Sequence, residues 1–232
     1  MDITERDRTL LGGHPAERLA GRWSAMFVAA ISAAYAVVMV VGFASMGNLT
    51  DPLPDPYLAV AEVLILVMAP VMVVLMAAVH ACAPVHLRMF GLVAFGWMLV
   101  AACLTMTVHV VQLVMVRRIE PESVPGFARL FDFAWPSMLY AVDVVAWDLL
   151  LGLSLVFAAA VFTGPGYRTA RLWLLVSGVL CLVGLVGPAI DVMALRGIGI
   201  LGYVVAFPIA CVALSRAFAA APAHDVVPAG RS

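Results

Sequence analysis

Apolar side chains run along this chain in six long blocks, near 23–47, 57–79, 88–116, 135–162, 170–190 and 197–218. Polar and turn-forming residues collect between them. Each block meets the roughly 20 residues needed to cross a ~30 Å hydrocarbon layer. Lipid offers no partner for an unpaired N–H or C=O, so blocks of this kind must close their hydrogen bonds internally, as helices. The third and fourth blocks exceed the minimum, which predicts tilt or extension beyond the bilayer surface. The pattern predicts an all-α fold: a polytopic bundle of six membrane-spanning helices over 23–218. An N-terminal tail (1–22) and a disordered C-terminal tail (219–232) flank it.

The breaks carry turn chemistry. Asn48 through Pro56 holds three prolines, each of which disfavours helix in the residue before it. Asn48–Thr50 also has the spacing of a glycosylation sequon. Pro121, Pro125 and Gly126 interrupt the longest internal loop, Thr163–Gly166 ends the fourth block, and Gly187-Pro188 ends the fifth. The first block lies behind a charged segment and is too long for the apolar core of a signal peptide, so it reads as a span.

Composition agrees with this picture. The chain is 65% hydrophobic and 12% charged, against about 25% charged in a soluble domain. All thirteen basic residues are Arg, and the formal net charge is −1. No basic field exists to attract nucleic acid. With the N-terminus inside, nine Arg fall on inner segments. Arg117, Arg118, Arg129 and Arg196 fall outside. The positive-inside rule then places both termini in the cytoplasm, with Arg117-Arg118 as the dissenting pair. Trp23, Tyr57, Trp135, Tyr167 and Trp173 sit near block ends, where amphipathic rings settle.

The candidate chemistry is the set of polar residues at membrane depth. Such groups cost about 2.5–3.5 kcal/mol each on insertion scales and usually face the bundle interior. The second block carries Glu62, the third Thr105, His109 and Gln112, and the fourth Asp143 and Asp148. At 1.5 Å per residue, Glu62 lies about 7 Å, His109 about 10 Å and Asp143 about 12 Å from the same, outer side. Asp148 lies about 20 Å in. Thr105, His109 and Gln112 share one helical face by spacing. Asp143 and Asp148, five apart, fall about 140° from each other on a regular helix, so they are expected to serve different neighbours. Buried there without a partner, Asp148 is expected to hold a proton.

Two readings follow. In one, Glu62, His109, Gln112, Asp143 and Asp148 line a polar pocket open to the outside, able to bind a small solute, a ligand or an ion. In the other, the same groups only hydrogen-bond between helices, for about 0.6–2 kcal/mol each. Other clusters carry less. His80, Cys82 and His86 flank a short loop, but no CxxC or HExxH spacing supports a metal. Met68, Met72 and Met76 form a stripe that packs more often than it binds. Gly197, Gly199 and Gly202 allow close helix approach. No nucleotide-binding or nucleophile-elbow motif is present, so no catalytic residue, cofactor or metal is assigned. The absence of Lys excludes a retinal Schiff base.

Trp135-Pro136, Tyr140-Ala141-Val142-Asp143 and Ala146-Trp147-Asp148-Leu149, with the preceding Val108-His109-Val110-Val111-Gln112-Leu113, resemble bacterial six-span integral membrane proteins of unknown function. The resemblance implies a bacterial inner membrane and carries no activity. The expected function is therefore a multi-pass membrane protein that binds or moves a small solute or ion. The alternatives are a non-catalytic scaffold or subunit for a partner membrane protein, and a lipid-directed enzyme using His109 with an acid.

Overall fold

The computed structural model describes residues 11–47 and 53–220. The Asn48–Thr50 sequon, residues 1–10 of the N-terminal tail and 221–232 of the C-terminal tail, His224 among them, lie outside the described residues. Among the described residues six helices are long and apolar enough to cross a membrane: α1 (Pro15–Ala44), α2 (Tyr57–Ala81), α3 (Val85–Arg118), α4 (Met138–Val161), α5 (Pro165–Ala189) and α6 (Met193–Ala220). The chain is thus an all-α, multi-pass membrane protein. Its helices turn a broad apolar surface outward, with Val37, Val40 and Val85 among the exposed side chains. That surface is where it meets the lipid bilayer.

Helix boundaries follow capping chemistry more closely than hydropathy. α1 starts at Pro15, well before the apolar block at 23. The His14 side chain accepts from the first turn, while Glu17 reaches back to the His14 N–H. This reciprocal cap satisfies two N–H groups that the helix leaves open, and proline fits the first helical position. α4 starts at Met138, after Trp135-Pro136, because Ser137 caps it by accepting from the Tyr140 N–H at 3.1 Å.

Neighbours in sequence are neighbours in space. α1 packs on α2, α2 on α3, α3 on α4, α4 on α5, and α5 on α6. Phe207–Ala220 of α6 returns to α1 and closes the ring. Gly21 of α1 lies against the Phe218 ring, where an added Cβ would come within 2.6 Å of it. Toward the other end of the bundle, α1 and the first half of α6 part. The core between the helices is apolar and includes the Met68, Met72 and Met76 stripe as packing. Ser154 and Ser177 tie helices together by donating to the carbonyls of Ala94 and Gly202, at 2.7 and 2.8 Å.

The loop with His80, Cys82 and His86 serves as an anchor. The Gly12 N–H donates to the Cys82 carbonyl at 2.9 Å, and the His80 ring meets the Arg88 carbonyl. Burial pushes the Cys82 thiol up to about 11. It therefore stays protonated at neutral pH. At the opposite end, Asp191 takes a left-handed turn (φ 58°) between α5 and α6 and accepts from the Trp135 indole at 3.0 Å.

Candidate functional site

Among the described residues, three helices leave the regular α-helical ladder. π-helical turns occupy Val111–Met115 in α3, Val145–Leu151 in α4 and Gly202–Ala206 in α6. Such turns are rare and concentrate at functional sites. Here two of them begin two residues after His109 and Asp143, and the three carry Gln112, Asp148 and Tyr203.

Around them five ionisable side chains form a buried chain. Residue exposures are 2% for Glu62, 2% for His109, 5% for Asp143, 4% for Arg196 and 0% for Asp148. Glu62 Oε2 stands 2.5 Å from His109 Nδ1. The other ring nitrogen, Nε2, faces Asp143 Oδ1 at 3.5 Å, within ion-pair reach but without a hydrogen bond. Asp143 Oδ2 accepts from Arg196 Nη2 at 3.3 Å, and Asp148 Oδ2 accepts from Arg196 Nε at 3.2 Å. Arg196 Nη1 donates to the Tyr140 hydroxyl, and its guanidinium carbon lies 4.4 Å from the Tyr140 ring centre. The chain thus runs from α2 through α3 and α4 to α6. A neutral imidazole can donate to one carboxylate, and an imidazolium to both.

The five residues picked out by sequence do not share one role. Glu62, His109 and Asp143 come together. Gln112 is buried on the next turn with its Oε1 unpartnered, and neither it, Glu62 nor Asp148 lines the cavity described below. The expectation that Asp143 and Asp148 serve different neighbours is corrected, since both hold Arg196. The physical reason is the π turn at Val145–Leu151. Its i→i+5 hydrogen bonds widen the turn and reduce the angle between the two Asp, whereas the 140° offset assumed 3.6 residues per turn, and the Arg196 fork spans the rest, with Nη2 to Asp143 and Nε to Asp148.

Arg196 is the residue that sequence reading missed. It stands at the start of the sixth block and counts there as a loop charge. The available signal was Asp148, a carboxylate too deep to stay ionised without a cation.

Above this charge chain a cavity of about 480 Å³ opens where α1 and the first half of α6 part. His109, Asp143, Arg196 and Tyr140 form its polar floor, and Met39, Val40, Phe43, Ile200 and Val204 are among its apolar walls. Tyr35, Trp147 and Tyr203 add aromatic faces, and the Trp147 and Tyr203 rings are 5.2 Å apart. Phe133, from the loop between α3 and α4, covers His109 at 6.0 Å and meets Tyr140 edge-on at 5.5 Å. An apolar recess with a few convergent polar groups has the make-up of a small-molecule site. Among the described residues no group of three or more His, Cys, Asp and Glu side chains has an arrangement that could hold a metal ion. Comparison with known protein families, curated proteins and solved structures found no match.

Proposed function

We propose that this membrane protein binds a small amphipathic molecule in the cavity between α1 and α6. The apolar part would lie along α1 and α6, and the polar end would rest on His109, Asp143 and Arg196. One observation carries the reading: a buried charged floor lies beneath apolar walls, in a gap between two helices that face lipid. A ligand could reach it from the bilayer without crossing water. Whether the molecule is only held or also moved across depends on α1 and α6 changing their separation.

A ligand present at 100 times its Kd stabilises a protein by about 2.7 kcal/mol. Decyl-chain amphiphiles are therefore expected to raise the thermal unfolding temperature of the nanodisc-embedded protein. Ala36 of α1 lines the cavity. Ala36→Trp should fill it and remove the shift while leaving the protein folded. An equal shift in both proteins would move the amphiphile to another surface and defeat the proposal.

A second reading draws on the same dyad. An imidazole held by the Glu62 carboxylate beside a lipid-accessible cleft has the geometry of a general base. Product release from a labelled bilayer lipid, lost in His109→Asn, would favour a lipid-directed enzyme. Binding without turnover favours the first reading.

The resemblance to bacterial six-span proteins supports a place in the cell's inner membrane. Both termini are proposed to be cytoplasmic. Arg196 pairs inside the bundle and so drops out of the loop count, which leaves Arg117, Arg118 and Arg129 on the outer side. Arg117 is also paired, to Asp55 at 2.6 Å. Alkaline phosphatase fused after Gly126 should be active, and fused after Ala220 inactive. The reverse result would invert the topology.

A further inference from the structure

The charge count of the cluster is uneven. Glu62, Asp143 and Asp148 supply three carboxylates, while Arg196 is the one permanent cation. Even with His109 protonated, acids outnumber cations by one. A lone uncompensated charge at this depth is costly. It must be met by a proton or by another cation.

The surplus has a location. At the far end Arg196 is engaged by Asp148, Asp143 and Tyr140, and Asp148 Oδ1, also without a hydrogen-bond partner, is packed against Gly184 and Gly199 away from the cavity. At the near end, Asp143 Oδ1 and His109 Nε2 are buried without hydrogen-bond partners, and both side chains line the cavity. Aromatic faces of Tyr35, Phe133, Trp147 and Tyr203 surround the same space. Ring faces attract cations, more strongly where water is excluded. An anionic headgroup would instead add a second negative charge to the surplus.

We propose that the cavity takes a monocationic amphiphile, an amine or quaternary ammonium on an apolar body, in exchange for a proton. The proposal rests on the reading of the cavity as a ligand site. Empty, the Glu62–His109–Asp143 chain holds the proton that cancels the surplus charge. When the ammonium group settles beside Asp143 Oδ1, that proton leaves to water and the charge of the cluster is unchanged. The groups that set this exchange are Tyr35 from α1, Glu62 from α2 and His109 from α3. From α4 they are Tyr140 and Asp148, and from α6 Arg196 and Tyr203.

The test is isothermal titration calorimetry of the full-length protein in nanodiscs, with empty nanodiscs subtracted. Three probes share one chain: decyltrimethylammonium, decanol and decyl sulfate. Each is titrated at pH 6 and pH 8, in two buffers of different ionisation heat, so that released protons are counted. The quaternary probe has no proton to lose, so any proton released comes from the protein. Decyltrimethylammonium is expected to bind at least tenfold more tightly than decanol, with decyl sulfate weakest. Its affinity should rise with pH, by up to about tenfold per unit where one proton is displaced. Asp143→Asn should remove the preference for the ammonium and keep decanol binding. Equal affinity for decanol and the ammonium overturns the charge selection while the ligand site stands. Tightest binding of decyl sulfate overturns it too, and assigns the headgroup to Arg196. Ammonium binding without proton release overturns the exchange. No binding of any probe beyond empty nanodiscs defeats both this proposal and the ligand site on which it rests.

Discussion

Replacing Arg196 with methionine is expected to cost about 3–5 kcal/mol of stability, the range for breaking a buried ion pair from one side. Methionine keeps much of the side-chain volume, so the loss reports charge more than packing. Without the guanidinium, Asp143 and Asp148 face each other's charge at the centre of the bundle, and the Tyr140 hydroxyl loses its donor. Denaturant unfolding in mixed micelles measures the cost. The decisive comparison is the double variant Arg196→Met with Asp148→Asn, which removes the carboxylate that has no other cation. It should recover part of the loss, with a coupling of about 1–3 kcal/mol between the two sites. Additive losses would mean that Asp148 does not depend on Arg196, and the charge chain would have to be redrawn. Arg196→Lys keeps the charge but not the planar fork that reaches two carboxylates and a hydroxyl, so an intermediate loss is expected.

The six spans were legible because lipid imposes one rule on backbone and side chain alike, and block length records it directly. Their ends were less so. Hydropathy places the start of the first span at 23, but the His14–Glu17 cap draws the helix back to Pro15. At the site, Glu62, His109 and Asp143 could be brought to one height by counting rise per residue, and the structure brings them into contact. What counting could not supply was the π turn in α4. Periodicity arguments assume a constant angle per residue, and a single change of hydrogen-bonding pattern shifts every later side chain around the helix. A regular helix therefore puts Asp148 on a separate face from Asp143. Arg196 was hidden for a related reason. A residue at the edge of an apolar block reads as a loop charge unless a partner at depth is already known.

Gly199 shows how tightly that hidden half is built, and Gly199→Val is expected to be the second severe substitution. A Cβ at Gly199 would overlap the Asp148 carboxylate and approach Gly184 Cα to 3.2 Å. A Cβ at Gly184 would come within 2.6 Å of Gly199 Cα and 2.9 Å of Asp148 Oδ1. The two glycines therefore hold α5 and α6 together while leaving room for a carboxylate from α4. Overpacking alone costs about 1–3 kcal/mol. Here the obstructing atom belongs to a charge that cannot move without leaving Arg196, so the total should approach that of Arg196→Met. Gly197 supplies the control, since a Cβ there meets nothing within 4 Å, and Gly197→Ala should be close to neutral in the same unfolding measurement. If the clash is with Asp148, shortening that side chain must relieve it. Gly199→Ala combined with Asp148→Ser should then lose less than the sum of the two single changes. Equal effects at 197 and 199 would reduce both glycines to generic helix spacing and remove the reason that Asp148 fits, fully buried, between α5 and α6.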